Sequence, residues 1–396
     1  MIAGLKLSHV ITGGIAVLVG YTSSVAIIFQ AIDLLGATQA QANSWMLALG
    51  LGMGISGLIL SLLYRMPILT AWSTPGAALL VISLDGVAMD EAIGAFLLCG
   101  ALLTLTGLTG WFGKLSNLIP EPIANAMLAG ILFSFGLGVF SSMEDNLPLT
   151  ALMCLTYLMG KRWFPRYNIP TVLLAGILFC WTSGAFQSQE TIEFSIAQPE
   201  FIMPSFSLPV LISIGVPLFI VTMTSQNMPG VVALKSAGYV PPTSASMTVT
   251  GLITLLFAPF GGYTFNLAAI TAAICAGPEA DEDPQTRYKA AIMAGIFYCI
   301  VGLLGATIIS LFLIAPKALV ITIAGLALLN TIGNSLSSAL TQPDNREAAL
   351  VTFMTTVSGI SFLGIGAPFW ALLFGAATSI ALSNDEKPGK LVTEKS

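Results

Sequence analysis

The chain has 396 residues, of which 56% are hydrophobic and only 8% are charged. Soluble globular domains carry about 25% charged residues, so this composition indicates a polytopic membrane protein. The net charge of −5 and the lack of a basic patch interleaved with aromatics argue against nucleic-acid binding. With a single histidine and five cysteines that form no CxxC motif, we expect no metal site and no cofactor.

Twelve stretches of the chain have the roughly 20 apolar residues that a bilayer-spanning helix needs. They are residues 10–31, 45–63, 88–112, 122–140, 146–161, 169–186, 208–226, 243–259, 288–313, 317–334, 346–362 and 366–383. The apolar segments 67–83 and 263–277 are interrupted by proline, glycine and polar residues. Each is predicted to be a short extended piece followed by a half-helix, which gives fourteen crossings in total.

The basic residues favour this count. With a cytoplasmic N-terminus, fourteen crossings place 13 of the 14 Lys and Arg residues in the cytoplasm and only Lys317 outside. This is the bias that the positive-inside rule expects. Both termini, including the tail 384–396, are therefore predicted to be cytoplasmic.

The two halves of the chain also resemble each other. Three glycines recur at the same spacing 195 residues later: Gly100, Gly107 and Gly110 match Gly295, Gly302 and Gly305. Seven crossings per repeat is an odd number, so the second half is predicted to be inverted, as in many transporters. The alternative is that small residues recur in any membrane protein with packed helices.

The first interruption has the features of a helix start. Ser73 offers a capping hydroxyl, and Pro75 follows in the first turn after Thr74. The N–H groups of Gly76 and Ala77 would then point out of the half-helix. The alternative is that the interruption is only a packing kink.

The second interruption is predicted to match it, with Asn266 as the cap and the N–H of Leu267 following. A helix N-terminus carries about half a positive charge. Two such ends meeting near mid-membrane would bind an anion without arginine or lysine.

Polar clusters on two other segments are expected to face the same cavity, because unpaired polar groups are costly in lipid. They comprise Tyr21, Ser23 and Ser24 on the first segment, and Ser225, Gln226 and Asn227 on the eighth. Hydrogen bonding between helices is the alternative role for each of these residues. Among the aromatic residues nearby, Trp72, Tyr263 and Phe265 could stack on a flat substrate.

No carboxylate or histidine falls clearly at mid-membrane, which argues against a built-in proton relay. The sequence also has no paired acids and no nucleophile–histidine arrangement in a plausible position, so we expect a protein that is not an enzyme. The acidic run 279–283, which includes Asp281, is predicted to be a solvated cytoplasmic loop.

Three of these segments, residues 69–79, 221–230 and 268–275, are similar to the benzoate/proton symporter (BenE) family, and the similarity covers nearly the whole chain. The family is distantly related to uracil and xanthine permeases and to sulfate and bicarbonate carriers. Uracil-type permeases carry glutamates where this chain has Ser225 and Phe265. A glutamate would repel a carboxylate, so a hydroxyl and a phenyl ring suit an aromatic acid better.

The resemblance implies an all-α fold of fourteen segments in a seven-plus-seven inverted repeat, like that of uracil permease. It implies a core domain (1–119 and 205–315) and a gate domain (120–190 and 316–383), through which relatives often form homodimers. It further implies a carrier in the bacterial inner membrane that imports benzoate or a similar aromatic carboxylate with protons. The alternatives are a carrier of another small anion or a nucleobase, and an anion channel. The residues predicted to contact the substrate are Tyr21, Ser23, Ser24, Ser73, Thr74, Gly76, Ala77, Ser225, Gln226, Asn227, Phe265, Asn266 and Leu267.

Overall fold

The computed structural model describes residues 4–22, 24–112, 120–185, 196–305, 307, 315–362 and 365–382, and most of them are helical. The helices of the first half are α1 (Leu7–Thr22), α2 (Val25–Leu34), α3 (Gln39–Tyr64), α4 (Thr74–Ser83), α5 (Met89–Thr109), α6 (Glu121–Trp163) and α7 (Asn168–Thr182). Those of the second half are α8 (Leu208–Lys235), α9 (Thr243–Phe257), α10 (Ile270–Ala276), α11 (Tyr288–Leu303), α12 (Lys317–Leu340), α13 (Arg346–Ser358) and α14 (Ala367–Leu382). The short strands are β1 (Thr70–Trp72), β2 (Phe265–Leu267), β3 (Ser361–Phe362) and β4 (Ile365–Gly366).

Six of the described helices are long and apolar enough to cross a membrane: α3, α5, α6, α8, α12, and α9 with the 3₁₀ turn that follows it. The pair α1 and α2, bent by about 40°, forms a seventh candidate. The 43-residue α6 changes direction at Asn146, whose backbone is not helical, two residues before Pro148. A polytopic helical membrane protein is therefore confirmed, while the count of fourteen crossings stays a prediction.

Close helix pairs form the body of the protein. α5 packs along α9, α11 packs along α3, and α12 packs along α6. At the contact between α3 and α11 the backbones of Gly50 and Gly302 meet, and a Cβ on Gly50 would lie 2.4 Å from the Gly302 Cα. Small residues at such contacts let membrane helices approach closely without a hydrophobic driving force.

The two interrupted segments lie side by side. β1 and β2 pair in antiparallel fashion, with Ala71 opposite Asn266 and Trp72 opposite Phe265. α4 follows β1 directly, and α10 begins three residues after β2. Non-helical backbone inside a membrane needs partners for its N–H and C=O groups, and the strand pairing supplies them here. The predicted order of an extended piece followed by a half-helix is confirmed for both segments.

The sequence suggested that the acidic loop after α10 is solvated. In the structure, one of its carboxylates is buried and paired. The side chain of Asp281 is only 2% exposed and accepts bonds from Lys6 Nζ at 2.9 Å and from His9 Nε2 at 3.0 Å. Because the N–H of Lys6 donates to His9 Nδ1, the proton of a neutral His9 ring lies on Nε2. The hydrogen bond from Lys6, followed by the bond from the Asp283 N–H, holds the pKa of the Asp281 carboxyl well below its usual range. This cluster ties the start of α1 to the end of the second interrupted segment.

We expect Asp281→Asn to lower the midpoint of thermal unfolding in detergent between pH 5 and 8. A carboxyl with a depressed pKa stabilises the fold above its unfolded pKa of about 3.9, and this stabilisation is lost as the pH falls through the folded value. The difference between wild type and variant should therefore narrow below about pH 4. Glu282→Gln, at an exposed neighbour, is the control. Equal midpoints at pH 7 would contradict the assignment.

Candidate substrate-binding site

A cavity of about 430 Å³ lies where the interrupted segments meet α6, α8 and α12. This volume is within the usual range for small-molecule sites. Its walls come from helices that are far apart in sequence. The lining residues from α1 to α6 are Gly20, Ser24, Met53, Ala71, Trp72, Thr74, Pro75, Asn125 and Leu128. Those from α8 to α12 are Thr224, Ser225, Gln226, Pro229, Ala268, Ala269, Ile270, Thr271, Tyr298, Ala327, Leu328, Asn330, Thr331, Asn334, Ser335 and Ser338.

The first half-helix starts as the sequence predicts, but most of its donors are used internally. Ser73 is the N-cap, and its Oγ accepts the N–H of Gly76 at 3.0 Å. The N–H of Ala77 donates to the Ser73 carbonyl at 2.8 Å, which also accepts the Tyr263 hydroxyl. Of the four predicted contact residues here, only Thr74 lines the cavity. Ser73 and the two residues after the proline therefore hold the helix start in place.

We expect Ser73→Ala to destabilise the protein by about 1 kcal/mol, the usual effect of removing a side-chain N-cap. The reason is that the N–H of Gly76 loses its buried acceptor. Ser73→Gly should cost less, because glycine is tolerated at this position. Thermal unfolding in detergent measures both variants. Identical midpoints for wild type and Ser73→Ala would show that the cap contributes nothing.

The prediction that Asn266 caps the second half-helix is wrong. Asn266 lies in β2, and α10 begins only at Ile270, where no side chain caps it. With its amide oriented to satisfy both neighbours, Asn266 Oδ1 accepts the N–H of Ser73 and Nδ2 donates to the Leu267 carbonyl, each at 3.0 Å. The N–H of Leu267 is bound in turn by Asn227 Oδ1 at 2.9 Å. These groups therefore join the two interruptions and do not line the cavity.

α8 widens where it passes β2. Residues Met223–Asn227 form a π-helical turn, a feature often found at functional sites. Ser225 and Gln226 line the cavity, as predicted, whereas the fully buried Asn227 points to β2. The turn thus presents polar groups both to the cavity and to the broken backbone.

Of the predicted aromatic residues, some line the cavity and others are buried behind its wall. Trp72 lines the cavity, and its Nε1 donates to Ser24 Oγ at 2.7 Å. The ring of Tyr21 packs edge-on against Trp72, with centroids 4.9 Å apart. Phe265 is fully buried against Phe257 and does not line the cavity. Ser23 lies outside the described residues.

The sequence reasoning missed the wall formed by α12 and the start of α6. Asn330 and Asn334 are exposed on α12, one turn apart, and Ser338 continues the same line. Asn125 faces them from α6. Polar residues at a spacing of four within an otherwise apolar helix were the available signal, because such residues seldom face lipid.

No residue lining the cavity in the described part of the chain carries a charge. Hydroxyls, amides and backbone dipoles supply its polarity, while Met53, Trp72 and Leu128 supply apolar surface. A cavity of mixed polar and apolar lining beside broken helices, within a polytopic helical protein, is typical of a membrane transporter.

Comparison with known proteins defines the family. The model of the BenE family, described as benzoate membrane transport protein, matches residues 3–381. The chain is 47% identical over 373 residues to inner membrane protein YdcO of Escherichia coli, covering 94% of this chain and 95% of that protein. It is 39% identical over 371 residues to the benzoate membrane transport protein of Acinetobacter baylyi, covering 93% and 94%. The chain belongs to the BenE family of membrane transporters and is a multi-pass protein of the bacterial inner membrane.

A solved structure has the same fold. The transmembrane domain of a cyanobacterial bicarbonate transporter, BicA, aligns with a TM-score of 0.57, covering 96% of this chain and 98% of that domain. The sequence identity is 14%, so the similarity concerns the fold. It agrees with the distant relation to bicarbonate carriers that the sequence resemblance implied.

Proposed function

We propose that this protein imports benzoate, or a similar aromatic carboxylate, together with protons. The observation that carries the proposal is the cavity beside the two interrupted segments, whose described lining residues carry no charge, in a chain of the benzoate transport family. A relative with 39% identity over most of its length is named a benzoate membrane transport protein. A cavity with both an aromatic wall and hydrogen-bond donors suits a flat ring that bears one carboxylate.

In this proposal the carboxylate lies near the start of α4 and the π turn of α8. Thr74, Ser225 and Gln226 line the cavity there and offer hydroxyl and amide donors. The ring packs on Trp72, which Tyr21 supports from behind. Seven other predicted residues shape the floor of the cavity, the part formed by the start of α4 and by β2, through their buried hydrogen bonds. They are Ser73, Gly76, Ala77, Asn227, Phe265, Asn266 and Leu267.

We propose that the chain is built as a seven-plus-seven inverted repeat, and that this architecture allows the site to move between the two sides of the membrane. Two observations support it. The interruptions pair with each other in antiparallel fashion. In addition, α5 packs on α9 while α11 packs on α3, and exchanging the two halves converts one pair into the other. The core domain (1–119 and 205–315) then carries the interrupted segments, and the gate domain (120–190 and 316–383) carries the wall formed by α6 and α12.

Alternating access follows from movement of the core domain against the gate domain. The exposed Asn330 and Asn334 lie on the C-terminal half of α12, which precedes the predicted cytoplasmic loop containing Arg346. This placement supports a cavity open to the cytoplasm, with both termini on that side. Because no lining residue in the described chain is an acid or a histidine, the proton travels on the substrate or on a transient site. A homodimer through the gate domain remains part of the proposal by analogy.

Uptake of radiolabelled benzoate into proteoliposomes tests the function. We expect saturable uptake that shows counterflow and rises when the outside is made more acidic than the inside. Excess salicylate should compete more strongly than uracil. Wild-type vesicles that do not accumulate benzoate above protein-free vesicles would overturn the substrate assignment.

The same assay separates the alternatives. Uptake whose rate does not depend on the proton gradient would contradict proton coupling, but it would still be consistent with benzoate transport. Strong competition by uracil or bicarbonate would favour a nucleobase or another small anion as the substrate. Flux that is neither saturable nor capable of counterflow would indicate an anion channel.

A further inference from the structure

Most of the hydrogen-bond donors predicted at the interruptions are already occupied. The N–H groups of Gly76 and Ala77 bind Ser73, the N–H of Leu267 binds Asn227, and the Asn266 amide joins Ser73 to Leu267. A carboxylate needs donors that are not already bound inside the protein, because breaking a buried hydrogen bond offsets the one gained. The anchor for the carboxylate must therefore include other groups in the cavity.

Two further hydroxyl-bearing residues of the same cavity, on α10 and α11, meet against α1. Thr271 and Tyr298 both line the cavity, and they are only 6% and 2% exposed. They come together at Gly20, where an added Cβ would lie 2.7 Å from Tyr298 Oη and 3.1 Å from Thr271 Cγ2. The absence of a side chain at Gly20 makes room for both.

The Thr271 hydroxyl is buried and makes no hydrogen bond of ordinary length and angle with a described residue, although it lies close to the Tyr298 hydroxyl. An unpartnered buried hydroxyl is costly and calls for an explanation. A helical threonine has two accessible χ1 rotamers, so a ligand in the cavity can select the rotamer that turns Oγ1 toward it. A hydroxyl donates to a carboxylate in a bond roughly twice as strong as one between neutral groups.

We propose that the hydroxyls of Thr271 and Tyr298 form an anchor for the substrate carboxylate. The inference rests on the proposed function, since it names the donors for the same aromatic acid. Neither residue was identified from the sequence. The anchor recognises an anionic oxygen pair and gives no comparable advantage to a neutral amide of the same shape.

The test uses Thr271→Val and Tyr298→Phe, which remove one hydroxyl each and keep the shape. Thr222→Val is the matched control, because the Thr222 hydroxyl is also buried without a partner among the described residues but lies outside the cavity lining. Tyr157→Phe, on α6 outside the cavity lining, controls for the tyrosine. Purified full-length variants in proteoliposomes are assayed with radiolabelled benzoate, and unlabelled benzamide serves as a neutral competitor.

We expect the half-saturation concentration for benzoate to rise about tenfold or more in each anchor variant, the effect of one hydrogen bond to a charged group. Inhibition by benzamide should stay within about twofold, and both controls should match wild type. If wild type transports benzoate and neither anchor variant changes its half-saturation, the anchor is overturned while the function stands. An equal loss of affinity for benzoate and for benzamide would also overturn the anchor, since it would indicate a general distortion of the site. Absence of uptake by wild type is the separate failure of the proposed function.

Discussion

Replacing Asn266 by alanine should reduce benzoate uptake to less than about a tenth of the wild-type rate. The fully buried amide bridges the N–H of Ser73 and the carbonyl of Leu267, so it joins the first interruption to the second. Alanine leaves both backbone groups without a partner, at about 1–3 kcal/mol for each unsatisfied group. The start of α4 and strand β2 would then be free to separate at the floor of the cavity.

Initial rates of uptake into proteoliposomes measure this effect, and thermal unfolding in detergent measures the accompanying destabilisation. Asn43→Ala is a suitable control, because the Asn43 Oδ1 on α3 has no partner among the described residues. Wild-type rates in Asn266→Ala would show that the amide does not hold the two interruptions together. The strand pairing alone would then have to fix the floor of the cavity.

The interrupted segments could be predicted from the sequence because their residues act locally. Pro75 cannot continue a helix from the preceding turn, and Ser73 offers a hydroxyl to the first N–H groups. Such rules depend on neighbours within four residues, and the structure confirms them. The apolar spans are predictable for a similar reason, since bilayer thickness sets their length.

The role of Asn266 could not be predicted because its partner is distant in sequence. The residue has the composition of a cap, but pairing with β1 places it in a strand and directs its amide to Ser73. The same holds for Asn227, whose partner Leu267 is 40 residues away. Both side chains satisfy broken backbone where the sequence suggested contact with substrate. Inside a membrane the hydrogen bonds of the backbone must be satisfied by the protein, because no water is present to bind unpaired N–H and C=O groups.

This division separates two kinds of polar residue around the cavity. Residues bound to the interruptions, such as Asn227, direct their side chains at the broken backbone and determine the shape of the site. Residues such as Gln226 and Asn334 face open space and can adapt to the substrate. Substitutions in the first group should therefore lower maximal transport rates and stability together, whereas those in the second should alter substrate preference.

Gly52→Ala should remove most transport, because the added methyl group collides with the ring of Phe265. The ring of Phe265 lies across Gly52, and an added Cβ would come within 2.1 Å of its Cζ. The ring cannot move alone, because Phe265 is paired with Trp72 and its N–H donates to Thr254 Oγ1 at 3.1 Å. We expect a loss of about 1–3 kcal/mol in stability from overpacking and uptake below about a tenth of wild type.

A second substitution makes this prediction specific. In Gly52→Ala/Phe265→Leu the smaller side chain gives the new methyl group room, so the double variant should transport better than Gly52→Ala alone. Such positive coupling between contacting residues is what a double-mutant cycle detects. Gly14→Ala is the control, since its Cβ would meet the Phe297 ring at an ordinary 3.6 Å. If the two substitutions acted additively, the contact between α3 and β2 would not be what sets the position of Trp72 in the cavity wall.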